Sequence, residues 1–449
     1  MAPPAVSPAP LPTAWTADAN EALSDPPTVR AKEDKASLHA REAYEGFHPT
    51  FTYPIFGEDE KIYGYRDLSI DLKFASGSLA QLLRVRFSDK LPASSAVDDI
   101  QGTLSKFIPP GYYTDETEFL ARVEQDATSF TPPGTRIFSY TRPASTLSRK
   151  GKHVAIPQVL SPEDEETVDF EAYHSTWDTP GFREYHRRMQ LFILLYIEAG
   201  SYIREDEGSW EFVVLCRKRR SDPTVETYHF VGYATLYPFY CFPEKVRMRI
   251  SQFVILPPYQ QEGHGSALYT AVYHHVLASP LIAELTVEDP AEAFEDLRDR
   301  NDLKLLLGNE RFMREALGEA GGFGAVSGFG RVGRTRGGRG EKVNGVGAAR
   351  KRGRLGPPAD KAWVEKWRVE LKIASRQFHR LVEMLQLRYL DPSDVRGQRA
   401  YRLQVKERLF RFNYEILAQL DKKDRQEKLE ETFRTVREDY ERILALVNW

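Results

Sequence analysis

The sequence predicts an α/β core, preceded by an α+β domain and followed by a helical domain. Three observations carry this. Between Val246 and Arg300 an apolar strand, a glycine-containing turn, a helix and a second strand follow one another, which is a βαβ unit. Upstream, Ile70, Leu72 and Phe74, and then Leu83, Val85 and Phe87 after the turn Ser76-Gly77-Ser78, alternate with polar residues at the period of half-buried strands. Downstream, Leu429, Phe433, Val436, Tyr440, Ile443 and Val447 recur every three or four residues, one apolar face of a helix.

Taken in order, residues 1–28 are rich in Pro and Ala and read as a disordered tail, since they offer too little apolar surface to offset ordering. Residues 29–165 form the α+β domain. The core spans 166–318. It opens after an acidic run (Glu163 to Glu166, then Asp169 and Glu171) that reads as a linker. A helix capped at Thr179, with Pro180 in its first turn and Gly200 at its end, comes next. Strands follow at Trp210 to Arg217, Tyr228 to Tyr237 and Val246 to Leu256, the last stopped by Pro257-Pro258. A helix then runs to about Ala278, a strand covers Ile282 to Val287, and a short helix covers Pro290 to Arg300. Residues 319–358, dominated by Gly and Arg, read as a disordered insertion, and 359–449 as the helical domain.

A chain of 449 residues is long enough for two or three domains, and 41% apolar with 28% charged residues is ordinary for a globular protein. The two cysteines, Cys216 and Cys241, lie in strand-like runs and read as buried thiols of a reducing compartment. No His-x-x-x-His pair flanked by carboxylates is present, so no metal is expected. The longest apolar run, Leu191 to Ile197, is too short for a bilayer, and no signal-peptide pattern opens the chain; a cytoplasmic and nuclear location is expected.

The chemistry concentrates at Gln260-Gln261-Glu262-Gly263-His264-Gly265, between a strand and a helix. Glycines let the backbone approach a ligand, and the first amides of a helix, at the positive end of its dipole, suit a phosphate or pyrophosphate. The same glycines also serve as plain turn residues. Glu288 and Asp289 end the next strand, where sites of α/β sheets gather; Asp289 reads equally as a cap for the helix at Pro290. Glu198 ends the apolar helix. It is either a part-buried carboxylate suited to proton transfer or a helix-end residue facing water.

These residues resemble the GCN5-related N-acetyltransferases and, within them, the family of type B histone acetyltransferase catalytic subunits. The stretches that carry the resemblance are Ser251 to Gln260, Gly263-His264-Gly265, Thr286 to Pro290, Asp296 to Asp299, Phe56 to Glu60, Ala75 to Leu79, and Tyr401-Arg402-Leu403. It implies a mixed-sheet acetyltransferase core with acetyl-CoA as cosubstrate. Phe253, Val254 and Ile255 would pair with the pantetheine arm. Gln260, Gln261, Glu262, Gly263, His264, Gly265 and Ser266 would wrap the pyrophosphate, with Phe294 and Arg300 as further contacts. Ala291 departs from the polar residue usual in the family, which removes one cofactor contact. Glu288 matches the general base, with Glu198 and Asp289 as accessory carboxylates. Glu58, Asp59, Glu60, Trp210, Tyr237, Pro238 and Phe239 match positions that line a histone-tail groove in the amino-terminal substrate-binding domain and the core.

The resemblance further implies lysines of the tail of free, newly made histone four as acceptors. Partners would be a histone three/four complex with its chaperone and a WD-repeat propeller subunit of the retinoblastoma-binding type, with no membrane. A basic tail also suits Glu58 to Glu60 and Glu205 to Glu207, although such triplets are commonly just solvated turns. Other acceptors, a different protein or a polyamine, are alternatives. So is an adaptor for chromatin or RNA that uses the Arg/Gly segment, although an insert without a nucleic-acid role is the preferred reading of that segment.

Overall fold

A computed structural model describes residues 15–24, 27–28, 47–92, 96–143, 167–222, 225–318 and 353–447. Six strands make the main sheet: β1 (Thr135–Pro143), β2 (Thr167–Thr176), β3 (Glu211–Asp222), β4 (Val225–Cys241), β5 (Lys245–Ile255) and β6 (Ile282–Val287). Their order is β6-β5-β4-β3-β2-β1. β1 to β4 pair antiparallel with one another in succession, with Ala172 opposite Phe138 and Leu215 opposite Gly232. The hairpin strands are longer than the sequence indicated, because the polar ends of β3 and β4 continue the ladder beyond the apolar stretch. The sheet also crosses the expected boundary at 165/166. Thr167 onward, including Asp169 and Glu171, is strand rather than linker, and Glu163 to Glu166 and the Arg/Gly segment 319–352 lie outside the described residues.

The chain divides into two compact units. The first comprises residues 1–239 and 249–275, the second 240–248 and 276–449. In the first unit, Ser69–Ala75 and Gln81–Arg86 form the expected antiparallel pair, with Leu72 facing Leu83. Their alternation buries Ile70, Leu72 and Phe74, whereas Phe87 is exposed. Part of the expected tail is built in. Thr16–Asp18 pairs with Lys61–Tyr63, Leu23–Ser24 runs parallel to Ile70 and Asp71, and Ala19 and Leu23 are fully buried. Few apolar residues suffice when a segment adds to an existing sheet and shares its core.

The expected single helix of 179–200 is two. α1 (Phe182–Met189) starts after Gly181, whose φ is +74°, and α2 (Leu191–Tyr196) carries the apolar run, with Leu191 to Leu195 all buried. Thr179 caps a turn through the amide of Thr176 instead of the helix. α3 (His264–Ala278) is the helix of the βαβ unit, and Leu268, Ala271, Val272 and Val276 are its buried face.

The second unit is helical: α4 (Glu292–Gly308), α5 (Glu310–Leu317), α6 (Lys361–Glu370), α7 (Ser375–Tyr389), α8 (Val395–Phe412) and α9 (Lys422–Leu446). The face seen in the sequence of α9 buries Phe433, Tyr440 and Ile443, with Tyr401 and Val405 of α8 in the same cluster as Phe433. Leu355, within the expected insertion, is fully buried, so packed residues are found before residue 359. Among the described residues no helix is long and apolar enough to cross a membrane. Cys216 is buried and Cys241 half-buried; both are free thiols.

Candidate active site

The turn after β5 is built by local constraints. Pro257–Tyr259 forms a short 3-10 turn, and the Gln260 side chain donates to the Ile255 carbonyl at 2.8 Å. Gln261 and Gly263 have φ of +61° and +85°. The Ala267 amide makes the first helical bond, to the Gly263 carbonyl at 3.1 Å, so the amides of His264, Gly265 and Ser266 form the opening turn of α3. A phosphate-binding helix start needs this backbone arrangement.

Two side chains of this loop are engaged by the protein itself. The His264 ring turns inward: Nδ1 lies 2.6 Å from the Tyr140 hydroxyl, and the ring packs 4.4 Å from Phe170. Burial lowers its pKa, although Glu262 sits 3.5 Å from Nε2. His264 therefore anchors the helix start to β1 and β2, and offers a ligand only its backbone. Gln260 likewise spends its side chain on the turn. In their place stands Arg142 of β1, which no local pattern singled out. Its guanidinium lies over the Tyr140 ring, and a Cβ added at Gly263 would meet its Nη2 at 2.8 Å. Gly263 is thus required by its φ of +85°, and the tip of the flexible Arg142 side chain lies directly beside it.

On β5, Val254 and Ile255 are buried and Phe253 is half-buried. Gly232 of β4 lets the strands close up, since a Cβ there would stand 2.3 Å from the Val254 carbonyl. The Leu256 amide donates to Val231 at 2.9 Å and the Gln252 amide to the Thr235 hydroxyl at 2.9 Å.

The aromatic positions gather. Trp210 and Tyr237 lie 4.8 Å apart, Tyr237 and Phe239 4.9 Å, and Arg249 sits 4.2 Å over Phe239, with Pro238 half-buried between. The acidic triplets are only partly available. Glu58 and Asp59 are exposed, and Asp59 accepts from the Tyr63 hydroxyl at 2.7 Å. Glu60 turns inward to accept from the amides of Thr52 (2.7 Å) and Tyr53 (3.0 Å) and from Asn20. The Thr52 amide is the foremost cause of its lowered pKa. Glu205 is forked onto Arg187 and Asp206 is paired with Arg204, which neutralises most of the second triplet.

Glu198 is not on a helix. α2 ends at Tyr196, and Glu198 is an exposed turn residue, held by the Ala199 amide donating to the Tyr53 hydroxyl at 2.6 Å. Of the alternatives weighed for it, the solvent-facing one is observed.

In the second unit, Glu288 and Asp289 are exposed at the carboxyl end of β6. Asp289 has φ of +31° and does not cap α4, which begins at Glu292 with Ala291 at its cap and no side-chain cap bond. Phe294 is in the first turn of α4 and Arg300 follows six residues on, which turns the two about 120° apart around the helix. The Arg300 Nε donates to the Asp296 carbonyl at 3.2 Å.

The family is decided by comparison with known proteins. A family model described as "Histone acetyl transferase HAT1 N-terminus" matches residues 15–198, and one described as "Fungal HAT1, C-terminal" matches 348–391. The histone acetyltransferase type B catalytic subunit of Cryptococcus neoformans var. neoformans serotype D is 47% identical over 96% of this chain and 98% of its own length. This chain belongs to the histone acetyltransferase type B catalytic subunits. The Mycosarcoma maydis member is 44% identical over 88% of the chain and 82% of its own length, and the Homo sapiens member 30% identical over 89% and 87%. As a type B subunit the chain is an acyltransferase, with acetyl-CoA as its cosubstrate. The family match beginning at residue 15 accords with the ordered strand found there.

If the loop holds cofactor phosphates, Gly263→Val should raise KM for acetyl-CoA about tenfold. A non-glycine residue in left-handed backbone costs roughly 1–2 kcal/mol, and about 1.4 kcal/mol is a factor of ten in affinity. Steady-state KM measured beside a thermal melt checks this; an unchanged KM would move the phosphates away from the loop.

Proposed function

We propose that the chain transfers acetyl from acetyl-CoA to lysine side chains in the amino-terminal tail of free, newly synthesised histone four. The observation that carries this is the left-handed Gly263 turn opening α3, with Arg142 beside it, in a chain of this family. The amides of His264, Gly265 and Ser266 and the Arg142 guanidinium take the pyrophosphate. The β5 segment Phe253, Val254 and Ile255 takes the pantetheine arm, with Phe294 and Arg300 as further contacts. Glu288 accepts the proton of the acceptor lysine, directly or through water; the free amine attacks the thioester carbonyl, the C–S bond breaks, and coenzyme A leaves as its thiol with the proton that the new amide nitrogen gives up, with no covalent enzyme intermediate.

The aromatic group Trp210, Tyr237 and Phe239, with exposed Glu58 and Asp59, receives the basic tail. Glu60 acts by holding that loop, and Glu198 and Asp289 are accessory carboxylates. The partners fitting this role are the histone three/four complex with its chaperone and a WD-repeat propeller subunit, in cytoplasm and nucleus.

The test is to incubate the protein with acetyl-CoA and purified core histones and locate acetyl groups by mass spectrometry. Acetylation concentrated on histone four tail lysines is the expected result. Unmodified histones, or a strong preference for spermidine, would overturn the proposal.

A further inference from the structure

Neighbouring strands and a helix of the first unit bring together three residues that the proposed acetyl transfer does not use. In the β2–β3 register Thr176 faces Glu211 and His174 faces Val213, so His174 and Glu211 are diagonal neighbours on one face of the sheet. α3 brings His275 onto that face. One oxygen of Glu211 receives both imidazoles, His174 Nε2 at 2.6 Å and His275 Nε2 at 3.2 Å, and the rings stack 4.3 Å apart at 25°. The donor atoms of the three residues all lie within 4.8 Å of one another. The side chains are 20%, 23% and 21% exposed, so water reaches the group.

We infer that His174, Glu211 and His275 form a divalent-metal site that takes zinc. Two imidazoles and one carboxylate are a zinc donor set, and they leave a fourth position for water. At metal–ligand distances of about 2.0–2.2 Å, tetrahedral donors stand roughly 3.3 Å apart. The two imidazole–carboxylate separations, 2.6 and 3.2 Å, lie just below that spacing, so small rotations of the three side chains bring the donors to it. The sequence offered no sign of this: residues 174, 211 and 275 have none of the short spacings by which metal motifs are read. The expectation of no metal rested on that missing pattern, and the fold supplies the cluster by another route.

The site is separate from the cofactor loop. His264 and His275 are eleven residues apart on α3, about 16 Å along the helix. The metal ties β2, β3 and the end of α3 together, so its binding raises the melting temperature and leaves KM for acetyl-CoA unchanged.

The experiment is a titration of chelator-treated, full-length protein with cobalt(II) and then zinc(II), in a Cys241→Ser background that removes the half-buried thiol. The expected result is one equivalent of cobalt with four-coordinate visible absorption, displaced by zinc, and a raised melting temperature. His174→Gln and His275→Gln each weaken binding by more than about a hundredfold, beyond what loss of a supporting partner costs a metal site. Metal-free melts of both variants show that they fold. No binding at micromolar metal, or wild-type affinity in the two folded variants, would overturn the inference.

Discussion

Glu288→Gln is expected to lower turnover by about two to four orders of magnitude, the range for removing a general base, while leaving KM for acetyl-CoA within about twofold. A lysine with a pKa of about 10.4 must lose its proton before attack, which near pH 7.4 costs about 4 kcal/mol without help. Glutamine keeps the size and polarity of Glu288 but cannot take that proton. The side chain is exposed at the end of β6.

The pH profile separates this role from a structural one. Without the base, the rate depends on amine already deprotonated in solution, so kcat/KM of the variant climbs about tenfold per pH unit until the pKa of the lysine. The gap to wild type therefore closes as pH rises. A uniform loss at every pH would mean that Glu288 holds the site's shape, and unchanged turnover at pH 7 would remove it from catalysis. Glu198→Gln and Asp289→Asn, measured beside it, report whether either carboxylate shares the proton transfer.

What the sequence disclosed here followed the range of the signals. The loop 260–265 was legible because its determinants are local: two prolines stop β5, a glycine turns the chain, and an apolar helix follows. The strand pair around Leu72 and Leu83 was legible for the same reason. Glu198 misled because an apolar run looks like a continuing helix. The chain instead leaves the helix at Ile197 and packs Gly200 against Ile193, where a Cβ would meet the Ile193 carbonyl at 2.5 Å. The inward turn of the His264 ring was not legible because its partners, Tyr140 and Phe170, lie more than ninety residues upstream. Arg142 and the His174–Glu211–His275 group were hidden by the same distance. Composition judged the first 28 residues a tail, although Ala19 and Leu23 complete a core that other segments supply.

The strongest stability effect is expected in the helical unit, where Glu383 of α7 is 1% exposed. Arg408 of α8 forks onto its two oxygens at 2.8 Å each, and the Tyr440 hydroxyl of α9 donates to it at 2.9 Å. One carboxylate thus joins three helices, and the Arg408 side chain is itself only 10% exposed. Glu383→Ala strands that guanidinium without its counter-charge, at a cost of about 3–5 kcal/mol, which lowers the melting temperature by roughly 10 °C. Glu383→Met with Arg408→Met removes both charges and fills their volume, so it should recover part of the loss, the remainder being the Tyr440 hydroxyl left buried without its two partners. Melting curves followed by circular dichroism on the two variants decide this. If the double variant is as unstable as Glu383→Ala, the penalty comes from packing and not from the orphaned charge. If Glu383→Ala melts like the wild type, the three helices are held by the apolar face of Tyr401, Phe433 and Ile443 alone.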